Sequence, residues 1–204
     1  MKLFHSPASP YVRMVMAVAL ETGQDAKIEL LPSAAGPVKR DQTLLPHNPA
    51  GKVPTAILDD GTALYDSRVI CEYLDAQHPG ERLFPAEGPQ RWKTLTLFAL
   101  SQALLDAALL ARYEVALRPT EKRWDDWLSG QLAKIDSSVA ELEARWVDHL
   151  QTTFDIGTLG VACALGYLDF RFGDRDWRAA APRLAAWYAA ASHRPSLSAT
   201  RPAG

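Results

Sequence analysis

The stretch from Asn48 to Tyr73, NPAGKVPTAILDDGTALYDSRVICEY, constrains the fold more than any other part of the chain. It reads as a glycine turn, a Val53-Pro54 step, an apolar strand over Thr55 to Leu58, and a tight turn at Asp59-Asp60-Gly61. A return strand over Ala63 to Tyr65 and a helix start then follow. An acidic-glycine pair between two apolar runs is a hairpin signal. Asp66 and Ser67 stand where the helix carrying Val69, Ile70, Tyr73 and Leu74 must begin, because short oxygen-bearing side chains satisfy the free N–H groups of a first turn. Such a helix start carries partial positive charge and is suited to a carboxylate. Pro54 lacks a backbone donor, so the step before the strand is an edge or turn position.

The N-terminal segment supplies the other half of a βαβ unit. Lys2 to His5 reads as a strand, and SPASPYVR follows it. Ser9-Pro10 has the form of an N-cap with proline at the first helical position, which costs nothing because that N–H has no helical acceptor. Val12, Val15, Met16, Ala19 and Leu20 recur at helical spacing until Gly23. Ser6-Pro7 is a second candidate for the same cap, but it would leave Pro10 inside the helix. Lys27 to Leu30 reads as a second strand, and the polar stretch from Pro32 to Pro49 leads back to the hairpin. Strand, helix, strand, irregular segment, hairpin and helix form an α/β thioredoxin-like order.

PGERLFPAEGP, residues 79–89, collects three prolines and two glycines in eleven residues and reads as a linker. Everything beyond it is helical in pattern. Trp92 to Leu117 and Trp124 to Leu150 carry apolar residues three or four apart, and Phe154 to Phe170 is apolar nearly all round, as a central core helix is. Thr152 with Asp155 has the spacing of a capping box. Pro182 to Ser192 reads as a last short helix, with a loose tail from Arg194. The chain thus divides into a first domain over 1–78, a linker over 79–89 and an all-α domain over 90–204.

Composition narrows the function. Of 204 residues 48% are apolar, enough for a core, and a net charge of −2 gives no footprint for nucleic acid or an anionic membrane. No run of apolar residues reaches the roughly 18 of a membrane span, and the N-terminus lacks the apolar core of a signal peptide. Cys71 and Cys163 sit alone in apolar helical surroundings, which fits reduced, buried cysteines and a cytoplasmic protein. No His/Cys/Asp/Glu set has metal-ligand spacing, and Ser9 has no evident His-Asp partners for acyl transfer.

The Val53-Pro54 step, the Asp66-Ser67 pair twelve residues on and the Ser9-Pro10 helix start together resemble the cytosolic glutathione S-transferases, bacterial-type members with serine at the thiol-activating position. The resemblance spans essentially the whole chain. It implies that Pro54 is cis, that Val53 pairs with the cysteinyl backbone of glutathione, and that Asp66 and Ser67 take its γ-glutamyl end. It implies that Ser9 donates to the thiolate, and that Lys52 meets the glycyl carboxylate, a role His47 or Lys39 can also fill. A cysteine at Ser9 would instead point to mixed-disulfide chemistry. Arg68 is expected near the γ-glutamyl group or a partner subunit. The helical domain is expected to supply the electrophile pocket, with Tyr11, Arg112 and Tyr113 as candidates and Tyr167, Phe170, Phe172 and Trp177 behind them. An aromatic at helical spacing is more often core than ligand wall.

The activity implied is conjugation of glutathione, the co-substrate, to a small hydrophobic electrophile by a homodimer. A glutathione-dependent isomerase or dehalogenase, and a non-catalytic binding or regulatory protein, are the alternatives. Serine chemistry at such a site is arithmetically sufficient. An ordinary thiol ionises near pH 8.5, and lowering that by two units needs about 2.7 kcal/mol. One charge-assisted hydrogen bond at a helix terminus supplies that much.

Overall fold

The computed structural model describes residues 1–203. Four strands, β1 (Lys2–His5), β2 (Glu29–Pro32), β3 (Thr55–Ile57) and β4 (Ala63–Leu64), form one sheet in the order β2-β1-β3-β4. β1 and β2 are parallel, while β1–β3 and β3–β4 are antiparallel. Between the parallel strands runs α1 (Pro10–Glu21), and after the hairpin comes α2 (Ser67–Gln77), which packs against α1. This is the thioredoxin-like arrangement expected from the order of patterns.

Local chemistry explains most boundaries. Pro10 opens α1 behind Ser9, and Gly23, at φ 65°, turns the chain out of it, a conformation that side chains bearing a Cβ disfavour. The second strand lies two residues later than the pattern suggested, at Glu29–Pro32 rather than Lys27 to Leu30. Asp25–Lys27 form a 3₁₀ turn in which the Asp25 carbonyl accepts the Ile28 N–H, consuming Lys27. Pro32 is tolerated because β2 is an edge strand.

The chain divides into two compact units: residues 1–84 with 195–204, and residues 85–194. The sequence reading ended the first domain at 78 and carried the helical domain to 204, so both boundaries move. Residues 79–84 join the first unit because the buried Asp75 carboxylate accepts the Leu83 N–H at 2.8 Å and the Phe84 N–H at 3.1 Å. Part of the tail expected to be loose is helical: Pro195–Ala199 form α9, whose Leu197 is fully buried and whose carbonyl accepts from the Arg13 guanidinium at 3.2 Å.

The second unit contains α3 (Gly88–Ala116), α4 (Asp125–Glu141), α5 (Val147–Thr152), α6 (Ile156–Arg171), α7 (Trp177–Ala180) and α8 (Pro182–Ala191). α3 begins at Gly88, four residues before Trp92, because Pro89 suits a first turn. The segment read as one helix from Trp124 to Leu150 is interrupted by a π turn over Leu142–Trp146. By length and hydropathy α3 is apolar enough to cross a membrane. Its buried Leu97, Phe98, Leu104, Leu105 and Ala108 account for much of that character in a unit where α3 packs chiefly on α6. α6 is buried along nearly its whole length, as its all-round apolar pattern requires. Gly157 and Gly160 let α3 approach, since a Cβ at Gly160 would collide with the Ser101 hydroxyl.

The cap of α6 is Asp155 rather than Thr152, which is the last residue of α5 and donates its hydroxyl to the Asp148 carbonyl at 2.8 Å. Asp155 accepts the Thr158 N–H at 2.9 Å, the Thr94 hydroxyl at 2.6 Å and a bond with His149 Nε2 at 3.0 Å. It therefore ties α3, α5 and α6 at one buried point.

Candidate functional site

Strand register gathers the first unit's candidates at one edge of the sheet. Phe4 pairs with Thr55, so Pro54 lies one step on, across from His5 at the C-terminal end of β1. Ala56 pairs with Leu64, so Tyr65 and Asp66 leave β4 at the same edge. With strands about 5 Å apart, the loop after β1, the Val53-Pro54 step and the start of α2 span about 10 Å. Both α1 and α2 begin there, with their N–H groups and positive ends.

Ser9 is in extended conformation, and its hydroxyl oxygen accepts the Val12 N–H at 3.3 Å. The Ser9 N–H donates to the Ser6 carbonyl at 3.0 Å, closing a turn that holds the cap beside the strand end. Of the two Ser-Pro pairs, it is therefore Ser9-Pro10 that opens the helix. Ser6 contributes a carbonyl, and Tyr11 lies half-buried in the first turn of α1.

The Val53-Pro54 bond is cis, and so is Tyr65-Asp66. The backbone ahead of Val53 is fixed by Asn48 and Thr55, both buried. Asn48 Nδ2 donates to the Lys52 carbonyl at 3.2 Å and to the Thr55 hydroxyl at 2.9 Å, and the Thr55 hydroxyl donates to that same carbonyl at 2.9 Å. Neither residue was singled out from sequence. The available signal was an Asx-type turn, in which Asn48 Oδ1 accepts the Ala50 N–H at 3.0 Å. His47 packs its ring 5.7 Å from that of Phe4, and Lys39 lies on an exposed turn. Lys52 is exposed.

Asp66 caps α2 by accepting the Arg68 N–H at 3.0 Å, and Ser67, the first helical residue, is buried. The Arg68 guanidinium turns back onto the same carboxylate, Nη2 to Oδ2 at 2.8 Å and Nε to Oδ1 at 3.2 Å. These bonds hold the Asp66 carboxyl below its ordinary range, and the Lys52 charge adds to the effect. The result is a half-exposed anion paired with the Arg68 guanidinium and within electrostatic reach of Lys52.

In the helical unit, Arg112 and Tyr113 lie late on α3 within electrostatic reach of Tyr167 on α6. Burial pushes the Tyr113 and Tyr167 hydroxyls above their ordinary values, and Arg171 partly offsets this at Tyr167. Tyr167 itself is core, at 3% exposed. Phe170 carries the Arg171 guanidinium at 3.8 Å over its ring, and Phe172 is half-buried. Trp177 is also structural: its indole N–H donates to Asp169 at 3.0 Å and Arg178 lies 4.5 Å over its ring. Among the described residues no group of three His, Cys, Asp or Glu is arranged for a metal.

A thioredoxin-like sheet with two helix starts at one edge, followed by an all-helical unit, is the architecture of glutathione transferases. The family models of the glutathione S-transferase N-terminal and C-terminal domains match residues 3–82 and 125–190. The chain is 32% identical to the uncharacterised GST-like protein YibF of Escherichia coli, over 99% of this chain and 98% of that one. It also matches the crystal structure of a glutathione transferase family member from Pseudomonas fluorescens Pf-5 with bound glutathione. That match has 53% identity and a TM-score of 0.98, over 100% of this chain and 99% of the other. A second structure of a Pseudomonas fluorescens Pf-5 family member, with bound S-(propanoic acid)-glutathione, gives 51% identity and a TM-score of 0.93 over all of both chains. This chain belongs to the glutathione S-transferase family.

Proposed function

We propose that the protein binds glutathione at this sheet edge, stabilises its thiolate and conjugates it to a small electrophile. The observation that carries the reading is the convergence of Ser9, Val53-Pro54 and Asp66-Ser67 on one edge in a chain about half identical to a glutathione-bound relative. Val53 takes the cysteinyl backbone, Asp66 and Ser67 the γ-glutamyl end, Lys52 the glycyl carboxylate, and Ser9 the sulfur. Serine suits the last role because it donates a hydrogen bond without ionising. The relative's complex with S-(propanoic acid)-glutathione supports a site that also admits glutathione substituted on sulfur. Arg112 and Tyr113 are the helical unit's candidates for contact with the acceptor. Glutathione as ligand and two buried cysteines outside any disulfide fit a reducing, cytoplasmic setting.

The proposed assembly is a homodimer. Tyr65 and Val69 on the first unit, and Trp92 on the second, are large apolar side chains left 42%, 47% and 67% exposed. Sedimentation at micromolar concentration is expected to give a dimer, and a monomer would remove that part of the reading.

Thermal unfolding with and without ligand tests the core of it. Glutathione at a hundred times its dissociation constant adds about 2.7 kcal/mol to stability. A midpoint unchanged at roughly 10 mM glutathione, a thousandfold above a 10 µM dissociation constant, would leave a scaffold without the ligand.

A further inference from the structure

α3 and α6 run in the same direction where they meet. A Cβ at Gly157 would press on the Thr94 carbonyl and Leu97, and one at Gly160 on Phe98 and the Ser101 hydroxyl, so positions along the two helices rise together. Three turns, about eleven residues, take Ser101 to Arg112 and Gly160 to Arg171 on the facing rows. Tyr167 lies about two turns beyond Gly160 on the same row. The register thus gathers Arg112, Tyr167 and Arg171 at one end of the helix pair, with Tyr113 next to Arg112. Both arginines act electrostatically on the Tyr167 hydroxyl, and the Arg171 guanidinium donates a hydrogen bond to it.

No carboxylate balances this end. Arg112 is half-buried and, among the described residues, makes no ion pair or side-chain hydrogen bond. The carboxylates nearest in sequence are engaged elsewhere. Glu114 accepts from Arg118 Nε at 2.7 Å and the Trp124 N–H at 3.0 Å. Asp169 accepts from the Trp177 indole at 3.0 Å and Arg178 at 2.7 Å. The helix dipole favours one cation at the C-terminal end of each helix. It does not account for two on facing rows, where like charges repel and partial burial of an unpaired one is costly. We propose that Arg112 and Arg171 form an anion subsite, and that the electrophile this protein conjugates carries a carboxylate which they hold. This rests on the reading above, in which the helical unit meets the acceptor at Arg112 and Tyr113 and the site admits glutathione substituted on sulfur. A carboxylate offers two oxygens to a guanidinium fork, and the half-buried Tyr113 hydroxyl, kept protonated by burial, is a further donor. The carboxylate is not the reacting group; the carbon–sulfur bond forms elsewhere on the acceptor.

The test compares S-(2-carboxyethyl)glutathione with its S-(2-carbamoylethyl) counterpart, an amide of the same size without the charge. Calorimetry on the full chain, on R112Q and on R171Q gives each protein's preference for the acid. The parent is expected to favour the acid by about three- to tenfold, a charge-assisted bond discounted for half-exposed cations. R112Q is expected to bind the two conjugates alike, and R171Q to lose a good part of the preference. Because R112Q removes a cation without a partner, its ligand-free unfolding midpoint is expected to equal or exceed that of the parent. A parent that binds glutathione without favouring the acid conjugate overturns the proposal and leaves the glutathione reading standing. An R112Q variant that keeps the preference overturns it too, and a midpoint lowered by several degrees beside it makes Arg112 structural. If R171Q keeps the whole preference, the site is not built on two cations and the proposal fails. If the parent binds neither conjugate nor glutathione at about 10 mM, the broader reading fails and takes this one with it.

Discussion

Ser9→Ala separates a helix cap from the proposed thiol donor, because the cap uses the hydroxyl oxygen and the donor would use its proton. Its oxygen accepts the Val12 N–H at 3.3 Å, a long bond, so losing the cap should cost about 0.5–1 kcal/mol, at the low end for such residues. α1 stays anchored by buried Val12, Met14, Val15, Val18 and Ala19, and the first unit should unfold only a few degrees lower. The hydroxyl's proton is a separate matter. Removing one donor to an anion costs up to about 3 kcal/mol, which predicts turnover tenfold to a hundredfold lower at pH 6.5. The sign with pH is fixed. The donor lowers the thiol's pKa, so its loss matters below the ordinary thiol value near 8.5 and fades toward pH 9, where thiol ionises unaided. Ultraviolet titration of the bound thiolate measures this directly, alongside a pH profile of turnover. Ser9→Thr keeps both cap and donor and should retain most activity. Ser9→Cys should gain mixed-disulfide chemistry, since a helix start depresses a cysteine's pKa. Ser6→Ala is the control. A loss in Ser9→Ala that is equal at pH 6.5 and pH 9 would show that the hydroxyl does not act on ionisation, and the assignment would fail.

Asp66→Ala should weaken glutathione binding by roughly tenfold, a charge-assisted bond discounted for a carboxylate that is about half exposed; an unchanged dissociation constant by calorimetry would reduce Asp66 to a cap. Asp155→Ala should destabilise the helical unit by about 3–5 kcal/mol, the cap plus a stranded Thr94 hydroxyl and His149 ring. Asp155→Asn keeps the cap and should cost less than half of that, so equal losses in denaturant unfolding would contradict the account. The Asp41 carboxyl is lowered from 3.8 to about 2, chiefly by the Ser33 hydroxyl and then by Thr43. A depressed carboxyl stabilises above its ordinary pKa and loses that contribution as pH falls toward its folded value. Asp41→Asn should therefore differ from the parent in unfolding above about pH 4 and converge with it near pH 2, and a gap that widens in acid would refute this.

What was legible in the sequence is what depends on a few neighbouring residues. A cap, the proline after it and a three-residue turn act within one helical turn or one hairpin, so Ser9-Pro10, Asp59-Asp60-Gly61 and Asp66-Ser67 announce themselves wherever the chain goes. The Arg68 guanidinium on Asp66 is equally local, yet it was not foreseen, because an arginine in a first turn has solvent as an equal alternative. The second strand was displaced for a comparable reason. The 3₁₀ turn over Asp25–Lys27 rests on just two short-range backbone hydrogen bonds, from the Lys27 N–H to the Gln24 carbonyl and from the Ile28 N–H to the Asp25 carbonyl, which an apolar pattern does not announce.

The illegible part is non-local. Arg13 looks like one polar residue on an apolar helix until Leu197, 184 positions away, presents a carbonyl to it. Asp155 looks like the tail of a capping box led by Thr152 until Thr94 and His149 converge on it. Acceptor candidates suffer most from this. Tyr167 and Trp177 carry the same aromatic signature as Tyr113, and only packing shows that the first two are core while Tyr113 remains half-buried. Sequence therefore speaks to the proposed glutathione site, which is built from backbone and helix caps. It stays silent on the proposed acceptor site, which would depend on which aromatic faces packing leaves uncovered.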